Sequence, residues 1–268
     1  MVRLPYLNIG CGSHFDTLWT NIDFRKTGEG VIAYNLLKGI PFPDNSFEVV
    51  YHSHVLEHFS KNDGVFLVKE CYRVLKPNGI IRIVIPDLEQ ITRHYLRLLE
   101  EVLANPDDET VEADYNWILL EMYDQTVRNK SGGLMAEYLS QRNMLNEDFV
   151  FYRIGEEGKQ IRHAFLNQYQ TEITTKQRIK NKIKEIIRFG NRFLPSYYKL
   201  GKFRLQGEIH QWMYDRYSLS KLLKNVGFQV IIQQSAFTSY IKEWEQFDLD
   251  GKEGIIRKPD SLFLEAQK

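Results

Sequence analysis

Short apolar runs bounded by Gly, Pro, Asn or Asp characterise the two ends of the chain. Such runs are typical of strands buried on both faces of a parallel sheet. The predicted strands are Tyr6–Ile9, Asn21–Phe24, Val31–Tyr34, Phe47–His52, Ile80–Ile85, Phe228–Gln234 and Ser261–Ala266. Between the fourth and fifth strands, apolar positions from Val65 to Leu75 recur at helical spacing, and Lys76-Pro77-Asn78-Gly79 ends the run. Because strands and a helix alternate, the pattern predicts an α/β fold.

The middle of the chain has a helical pattern instead. Asp87 is a predicted N-cap, and apolar positions run from Ile91 to Val102 before Asn105-Pro106 interrupts them. Further helices are predicted near residues 110–129, 147–170 and 175–193, and at Leu219–Val226 before Gly227. We therefore predict that residues 1–87 and 206–268 form one α/β domain. Residues 88–205 then form a long helical insertion between the fifth and sixth strands.

Composition narrows the class of protein. With 43% hydrophobic and 13% aromatic residues, the chain is too apolar to be disordered. Its 35 basic and 35 acidic side chains cancel, which argues against a DNA-coating protein. Only Cys11 and Cys71 are present, so a disulfide framework is excluded and a reducing compartment is expected. No signal peptide and no apolar run of about 18 residues is found, so we predict a cytoplasmic location without membrane spans.

The most informative motif is the turn after the first predicted strand, Leu7-Asn8-Ile9-Gly10-Cys11-Gly12-Ser13. Two glycines one residue apart allow a ligand to contact the main chain, because no Cβ intervenes and positive φ angles are permitted. Asp23 then follows at the end of the second strand, where a carboxylate can accept both hydroxyl protons of a ribose. Together they predict a site for a nucleoside-containing cofactor.

Two features distinguish this turn from a dinucleotide site. Position 14, where a third glycine could fall, is His14. Only the segment from Ser13 to Trp19 separates the turn from the second strand, which is too short for a full crossover helix. A pyrophosphate would therefore lose its helix N-terminus, which disfavours a nicotinamide dehydrogenase. S-adenosylmethionine, which has a ribose but no phosphate, fits better.

Further motifs follow in a specific order. They are Asn21-Ile22-Asp23, Ile40-Pro41-Phe42-Pro43-Asp44-Asn45-Ser46-Phe47, His54-Val55-Leu56-Glu57-His58 and Val74-Leu75-Lys76-Pro77-Asn78-Gly79. With these motifs the chain resembles the class I S-adenosylmethionine-dependent methyltransferases over about residues 4–88, and again near its C-terminal end. The resemblance implies a Rossmann-like seven-stranded sheet, mostly parallel with an antiparallel last strand.

The resemblance also implies roles for individual residues. Gly10 and Gly12 would lie beside the methionine part of S-adenosylmethionine, Asp23 on its ribose, and Asn35 and Leu36 at its adenine. The predicted cofactor set is completed by Asn8, Cys11 and Ser53. Many relatives carry an acidic residue where Asn8 stands, and the third glycine is missing here, so this chain differs from its relatives at the methionine end.

Methyl transfer to a hydroxyl needs an aligned nucleophile and a base. His54 is the first candidate, since it follows the fourth strand at the carboxyl edge of the sheet. Glu57 lies three residues after His54, so on a helical segment the two would share one face and Glu57 could orient His54. His210 is a second candidate base at the point where the insertion rejoins the sheet. A purely structural role stays open for each of these three residues. For His54 that role would be packing under the next helix. The other histidines are too scattered to predict a metal site.

Residues 176–204 carry ten basic side chains and one acidic side chain, Glu185. The spacing of the isoleucines in the first part predicts a basic amphipathic helix. This helix is either a solvated face packed on the domain or a dock for an anionic partner such as an acidic membrane surface, a nucleotide-linked sugar or RNA.

We therefore predict an S-adenosylmethionine-dependent methyltransferase acting on a small-molecule or glycan-type acceptor, at a hydroxyl oxygen. The insertion would cover the cofactor cleft and select the acceptor. The resemblance suggests a sugar acceptor, as in polysaccharide biosynthesis. Two alternatives stay open: methylation of RNA or another macromolecule, and a non-catalytic scaffold or membrane-surface adaptor. No DNA partner is predicted, and the sequence indicates no oligomeric state.

Overall fold

The computed structural model describes residues 4–168 and 195–268. Its main sheet has seven strands in the order β3-β2-β1-β4-β5-β9-β6. The strands are β1 (Tyr6–Ile9), β2 (Thr20–Asp23), β3 (Val31–Ala33), β4 (Phe47–Ser53), β5 (Leu75–Pro86), β6 (Gln229–Gln234) and β9 (Ser261–Gln267). β1 to β5 pair in parallel, whereas β9 pairs antiparallel with both β5 and β6. The predicted Rossmann-like sheet with an antiparallel last strand is confirmed.

Seven helices are described. They are α1 (Lys61–Val74), α2 (Leu88–Ala104), α3 (Glu109–Val127), α4 (Gly133–Leu139), α5 (Glu147–Gln168), α6 (Ser196–Arg204) and α7 (Arg216–Val226). The predicted N-cap Asp87 accepts hydrogen bonds from the backbone N–H groups of Glu89 and Gln90. Gly227 ends α7 in the left-handed region, with φ at 118°. As predicted, no helix connects β1 to β2.

Apolar clusters pack on the sheet in two groups. One joins residues of β1, β4 and β5 to α1 and α7, with Leu7, Ile81 and Leu223 fully buried. The other is aromatic and gathers around Trp19, whose ring lies 5.2 Å from that of Phe247. Both clusters exclude water from the central strands. This explains why these strands are apolar along their whole length.

One buried cation anchors the C-terminal segment to β5. Arg82 is fully buried, and its guanidinium donates to Asp250 and Glu265 at 2.8 Å each. It also donates to the carbonyl oxygens of Thr238 and Ser235, and it lies 4.4 Å from the ring of Trp244. The hairpin of β7 (Gly251–Lys252) and β8 (Ile255–Ile256) follows directly after Asp250.

Helices α2 to α5 follow β5 and have apolar clusters of their own, for example Trp117 with Leu139 and Val150. The backbones of Asp87 and Tyr214 form a bridge where this segment leaves and rejoins the sheet region. α5 is kinked at Gly155, where φ is +61° and a Cβ would lie 2.5 Å from Cδ of Pro259. The division of the chain at residues 88 and 205 stays a prediction.

Several elements differ from their predicted bounds. β5 begins at Leu75 rather than at residue 80, because Leu75 pairs with Phe47 and the Gly79 carbonyl accepts from the Lys268 N–H. The helix α4 and the β7–β8 hairpin were not predicted. The helix predicted at 175–193 lies outside the described residues. Among the helices of the described ranges, none combines the length and the apolar character that a membrane crossing requires.

Candidate functional site

A cleft of about 460 Å³ lies where the parallel strands β1, β2 and β4 end. Gly10 and Asp23 line it from the sheet, while Leu205, Gln206 and Gly207 line it from the segment after α6. Carboxyl ends of parallel strands are the usual place for ligands in open α/β sheets. The volume is in the range of sites for small molecules and cofactors.

Gly10 shows why the turn after β1 needs a glycine. Its φ is +63°, and a Cβ at this position would lie 2.3 Å from Cγ2 of Val55. The N–H of Gly10 donates to the carbonyl of Ile22 at 2.8 Å, which ties the turn to β2. The main chain itself therefore forms the wall of the cleft here.

Asp23 sits at the end of β2, as predicted, and its carboxylate caps the glycine turn. Its Oδ2 accepts the N–H of Gly12 at 2.9 Å, and its Oδ1 accepts the N–H of Arg25 at 3.0 Å. A carboxylate has about four lone-pair positions, so two backbone donors leave it able to accept further hydrogen bonds. Asp23 can therefore hold the hydroxyl groups of a ribose without leaving its backbone donors.

The remaining predicted cofactor residues fall into two groups. Asn35 and Leu36 line the cleft, and the side chain of Asn35 accepts the N–H of Leu37 at 3.0 Å. The residues that do not line it are Asn8, Cys11, Gly12 and Ser53. Asn8 is buried and donates to Asn21, and burial raises the pKa of the Cys11 thiol to about 11. Asn8 and Cys11 therefore support the turn from beneath.

Three histidines surround the buried carboxyl of Glu57. Nδ1 of His54 lies 3.5 Å from Oε1 of Glu57, and Nε2 of both His58 and His210 lies 4.0 Å from the same atom. Glu57 is only 1% exposed, and its carboxylate accepts no hydrogen bond from a side chain in the described ranges. Of these four residues, the sequence predicted His54, Glu57 and His210 as catalytic candidates.

Burial sets the ionisation of this cluster. It raises the pKa of the Glu57 carboxyl to about 8. It lowers the pKa of His58, and it lowers those of His54 and His210 well below the usual value, with nearby positive charges adding to the effect. Each group in the cluster therefore favours its uncharged form.

His54 occupies a special place in this cluster. It lines the cleft and also a second cavity of about 300 Å³. Its Nε2 lies 2.8 Å from Oγ of Ser261, and its φ is +53°. The sequence placed His54 and Glu57 on one helical face; instead, only Leu56–His58 form a short 3₁₀ helix, and His54 precedes it. Its contact with Glu57 thus arises from a turn.

Besides His54, the second cavity brings together polar residues that the sequence did not predict. Its polar lining consists of His54, Gln125, Arg128, Glu157, Lys258 and Asp260. Lys258 and Glu157 form an ion pair at 3.0 Å. These side chains come from the turn after β4, the C-terminal end of α3 and the residue after it, α5, and the segment before β9, which are far apart in the sequence. No local motif could have revealed the cavity.

His210 lines a different cavity, of about 480 Å³, together with Arg204 and Trp212. Trp212 is partly exposed, with Nζ of Lys61 at 4.7 Å from its ring, whereas Tyr214 is buried in the main core. Of the predicted basic helix at 176–204, only α6 is described. There Arg204 donates to the carbonyl of Thr126 at 3.2 Å.

Residues 22–83 match the sequence model of a family described as "Methyltransferase domain". The matched segment runs from β2 into β5, so it includes Asp23, His54 and Glu57. It covers less than a quarter of the chain.

A curated relative matches over a similarly short stretch. "Probable methyltransferase ltbC" of Aspergillus luteorubrus is 38% identical over 60 residues, which are 21% of this chain and 21% of the relative. The chain therefore matches about a fifth of the length of this relative.

Solved structures with a similar course of the chain include an S-adenosylmethionine-dependent methyltransferase from Archaeoglobus fulgidus. It is 13% identical, with a TM-score of 0.40, over 100% of this chain and 86% of that one. Another, from Mesorhizobium loti, is 12% identical with a TM-score of 0.37, over 100% and 92%. The observed strand order and strand directions define the fold of this chain.

Proposed function

We propose that this protein is an S-adenosylmethionine-dependent methyltransferase whose cofactor binds in the cleft at the ends of β1, β2 and β4. The observation that carries the proposal is Asp23, a carboxylate at the end of β2 that lines the cleft and keeps lone pairs for a ribose. The family match over residues 22–83 supports the same reaction class.

The residues of the cleft fit this cofactor. Gly10 provides main chain without a Cβ for the methionine part, Asp23 holds the ribose, and Asn35 and Leu36 border the adenine. The turn before β2 has no helix N-terminus for a pyrophosphate, and S-adenosylmethionine needs none. Bound there, S-adenosylmethionine supplies an electrophilic methyl group.

We place the acceptor in the second cavity, on the other side of His54. Its lining of amide, carboxylate and basic side chains suits a polar acceptor with several hydroxyl groups, such as a sugar. His54 borders both cavities and accepts the proton of the acceptor hydroxyl. Glu57 positions His54 from Nδ1, and Nε2, which contacts Oγ of Ser261, takes this proton when the acceptor hydroxyl replaces that contact. Helices α3 to α5 close the cavity, which fits the predicted role of the insertion.

Binding of the cofactor tests the proposal directly. Isothermal titration with S-adenosylmethionine and S-adenosylhomocysteine should give micromolar dissociation constants, and NAD should not bind. Asp23→Ala should weaken both by at least about tenfold, through loss of two ribose hydrogen bonds worth about 1.5–3 kcal/mol together.

Two further variants control this experiment. Glu29→Ala removes an exposed carboxylate outside the cleft and should leave both constants unchanged. Asp23→Asn keeps an acceptor oxygen for the Gly12 N–H, so it separates the ribose contact from the folding of the turn. Unchanged affinity in Asp23→Ala, or tight binding of NAD, would contradict the proposal.

A further inference from the structure

The segment after β4 and the segment before α7 bring three ligand-type side chains together. Glu57 and His58 belong to the 3₁₀ helix Leu56–His58, and His210 precedes α7. One ligand atom from each of the three lies within 4.8 Å of the other two. We infer that Glu57, His58 and His210 form a site for a divalent transition-metal ion, with a ligand set suited to Zn²⁺.

The environment of the Glu57 carboxylate is the first observation that favours a metal ion. It is 1% exposed and accepts no hydrogen bond from any side chain that the structure describes. A buried carboxylate that accepts no side-chain hydrogen bond is costly, and buried acids are normally protonated, paired or bound to a metal. Its Oε1 is directed toward the two imidazoles and is equally far from both, at 4.0 Å.

These distances fit an ion better than direct bonds. At 4.0 Å an imidazole nitrogen and a carboxylate oxygen are too far apart for a hydrogen bond. Three atoms spaced as these are share a point about 2.5 Å from each, whereas Zn–N distances are about 2.0–2.1 Å. Each ligand therefore needs to move by only about half an ångström, which side-chain rotation supplies.

The ring of His58 has a second contact of the kind that prepares a metal ligand. Its Nδ1 lies 3.2 Å from the carbonyl oxygen of Ile209, so Nδ1–H donates there. In the neutral ring this leaves the lone pair on Nε2, the nitrogen nearer to Glu57. A backbone carbonyl on the far ring nitrogen is the usual partner of a metal-bound histidine.

The backbones on the two sides of the site are also held together. The N–H groups of Gln211 and Trp212 donate to the carbonyl of Glu57, at 2.7 and 3.2 Å. The side-chain amide of Gln211 donates to the carbonyl of His58 at 2.7 Å. These bonds bring His210 to Glu57 before any ion binds. His58 is 26% exposed and lines the cleft, which provides the entry path.

Titration of the full chain tests the inference. Protein treated with EDTA and then dialysed should bind one Zn²⁺ with a dissociation constant of micromolar or below. Co²⁺ should give the visible absorption of a four- or five-coordinate ion with nitrogen ligands. His210→Asn and Glu57→Gln should each weaken Zn²⁺ binding by at least about 100-fold, because each removes a direct ligand.

The exposed His163 provides the control, since His163→Gln should bind Zn²⁺ as the wild type does. The inference is overturned if the wild type shows no saturable binding, or if His210→Asn binds one ion as tightly as the wild type. If neither variant folds, the Co²⁺ spectrum of the wild type decides, and a spectrum of the hydrated ion overturns the inference. Zn²⁺ binding and cofactor binding are measured separately, so either can fail without the other.

Discussion

Arg82 and Glu57 both have ionisable side chains that are buried, yet the surroundings of the two side chains differ. Arg82 donates to two carboxylates and two backbone carbonyls and lies against the ring of Trp244. Glu57 accepts no hydrogen bond from a described side chain and faces imidazole nitrogens at 3.5–4.0 Å.

The difference separates a structural charge from a functional one. A buried ion with a complete set of partners holds neighbouring segments in place, and losing either side leaves the other unpaired. A buried ionisable group without a side-chain partner adds nothing to the stability of the fold, so another reason is needed for its presence. Substitutions at such positions should therefore affect stability at Arg82 and function at Glu57.

The largest expected effect is on stability at Arg82. Arg82→Met leaves the carboxylates of Asp250 and Glu265 buried without their cation, so the free energy of unfolding should fall by about 3–5 kcal/mol. Urea denaturation measures it. Arg93 provides the control, since it is 72% exposed and pairs with Glu89 on the surface of α2. Arg93→Met should cost less than about 0.5 kcal/mol.

A loss below about 1 kcal/mol in Arg82→Met would remove the distinction between the two clusters. If Arg82→Met does not fold, Arg82→Lys keeps the charge with fewer donors and should show a smaller loss.

His52 extends the contrast between Arg82 and Glu57, because it is also buried without a hydrogen-bond partner in the described ranges. It is fully buried in β4, neither ring nitrogen has a hydrogen-bond partner in the described ranges, and burial lowers its pKa to about 4. The unfolded chain gains a proton below about pH 6.5, which the folded chain resists until about pH 4. Stability is therefore lost as the pH falls through this window.

Between pH 7 and pH 5, His52 should account for a loss of about 2 kcal/mol. His52→Leu should remove this part of the pH dependence in denaturation curves, whereas His163→Leu, at an exposed position, should keep it. Equal pH dependence in wild type and His52→Leu would show that the folded protein protonates His52 readily.

The smallest effect on stability is expected at Glu57. Glu57→Gln removes no hydrogen bond to a described side chain, so the free energy of unfolding of the metal-free protein should change by less than about 1 kcal/mol. Turnover with an identified acceptor should nevertheless fall, because His54 loses the group that positions its ring. A stability loss of more than about 2 kcal/mol would show that Glu57, like Arg82, stabilises the fold.

The sequence was most informative where structure is local. Strand bounds such as Tyr6–Ile9, the N-cap Asp87 and the glycine that ends α7 follow from patterns a few residues long. Asp23 and Gly10 were also predicted, because each lies at the end of an identifiable strand. The conformation at such positions depends mainly on residues that are adjacent in the sequence.

Contacts between distant segments could not be predicted. His210 lies beside Glu57 because Gln211 and Trp212 bond to the Glu57 carbonyl, and no periodicity encodes that pairing. We expected no metal site, because the histidines are far apart in the sequence and come together only in the folded chain. The shared helical face of His54 and Glu57 depended on a helix there, but His54 has a positive φ and lies before the short helix Leu56–His58.

The backbone bridge between Asp87 and Tyr214 has a wider consequence. The N–H of Leu88 donates to the Tyr214 carbonyl, so everything between them leaves and returns at one point of the sheet region. The free energy of closing such a loop rises only with the logarithm of its length. Longer, shorter or unrelated helical modules could therefore be exchanged at this junction while the strands keep their register. A different module would change the second cavity, which α3, α4 and α5 line, while the strand ends that carry Gly10 and Asp23 stay in place.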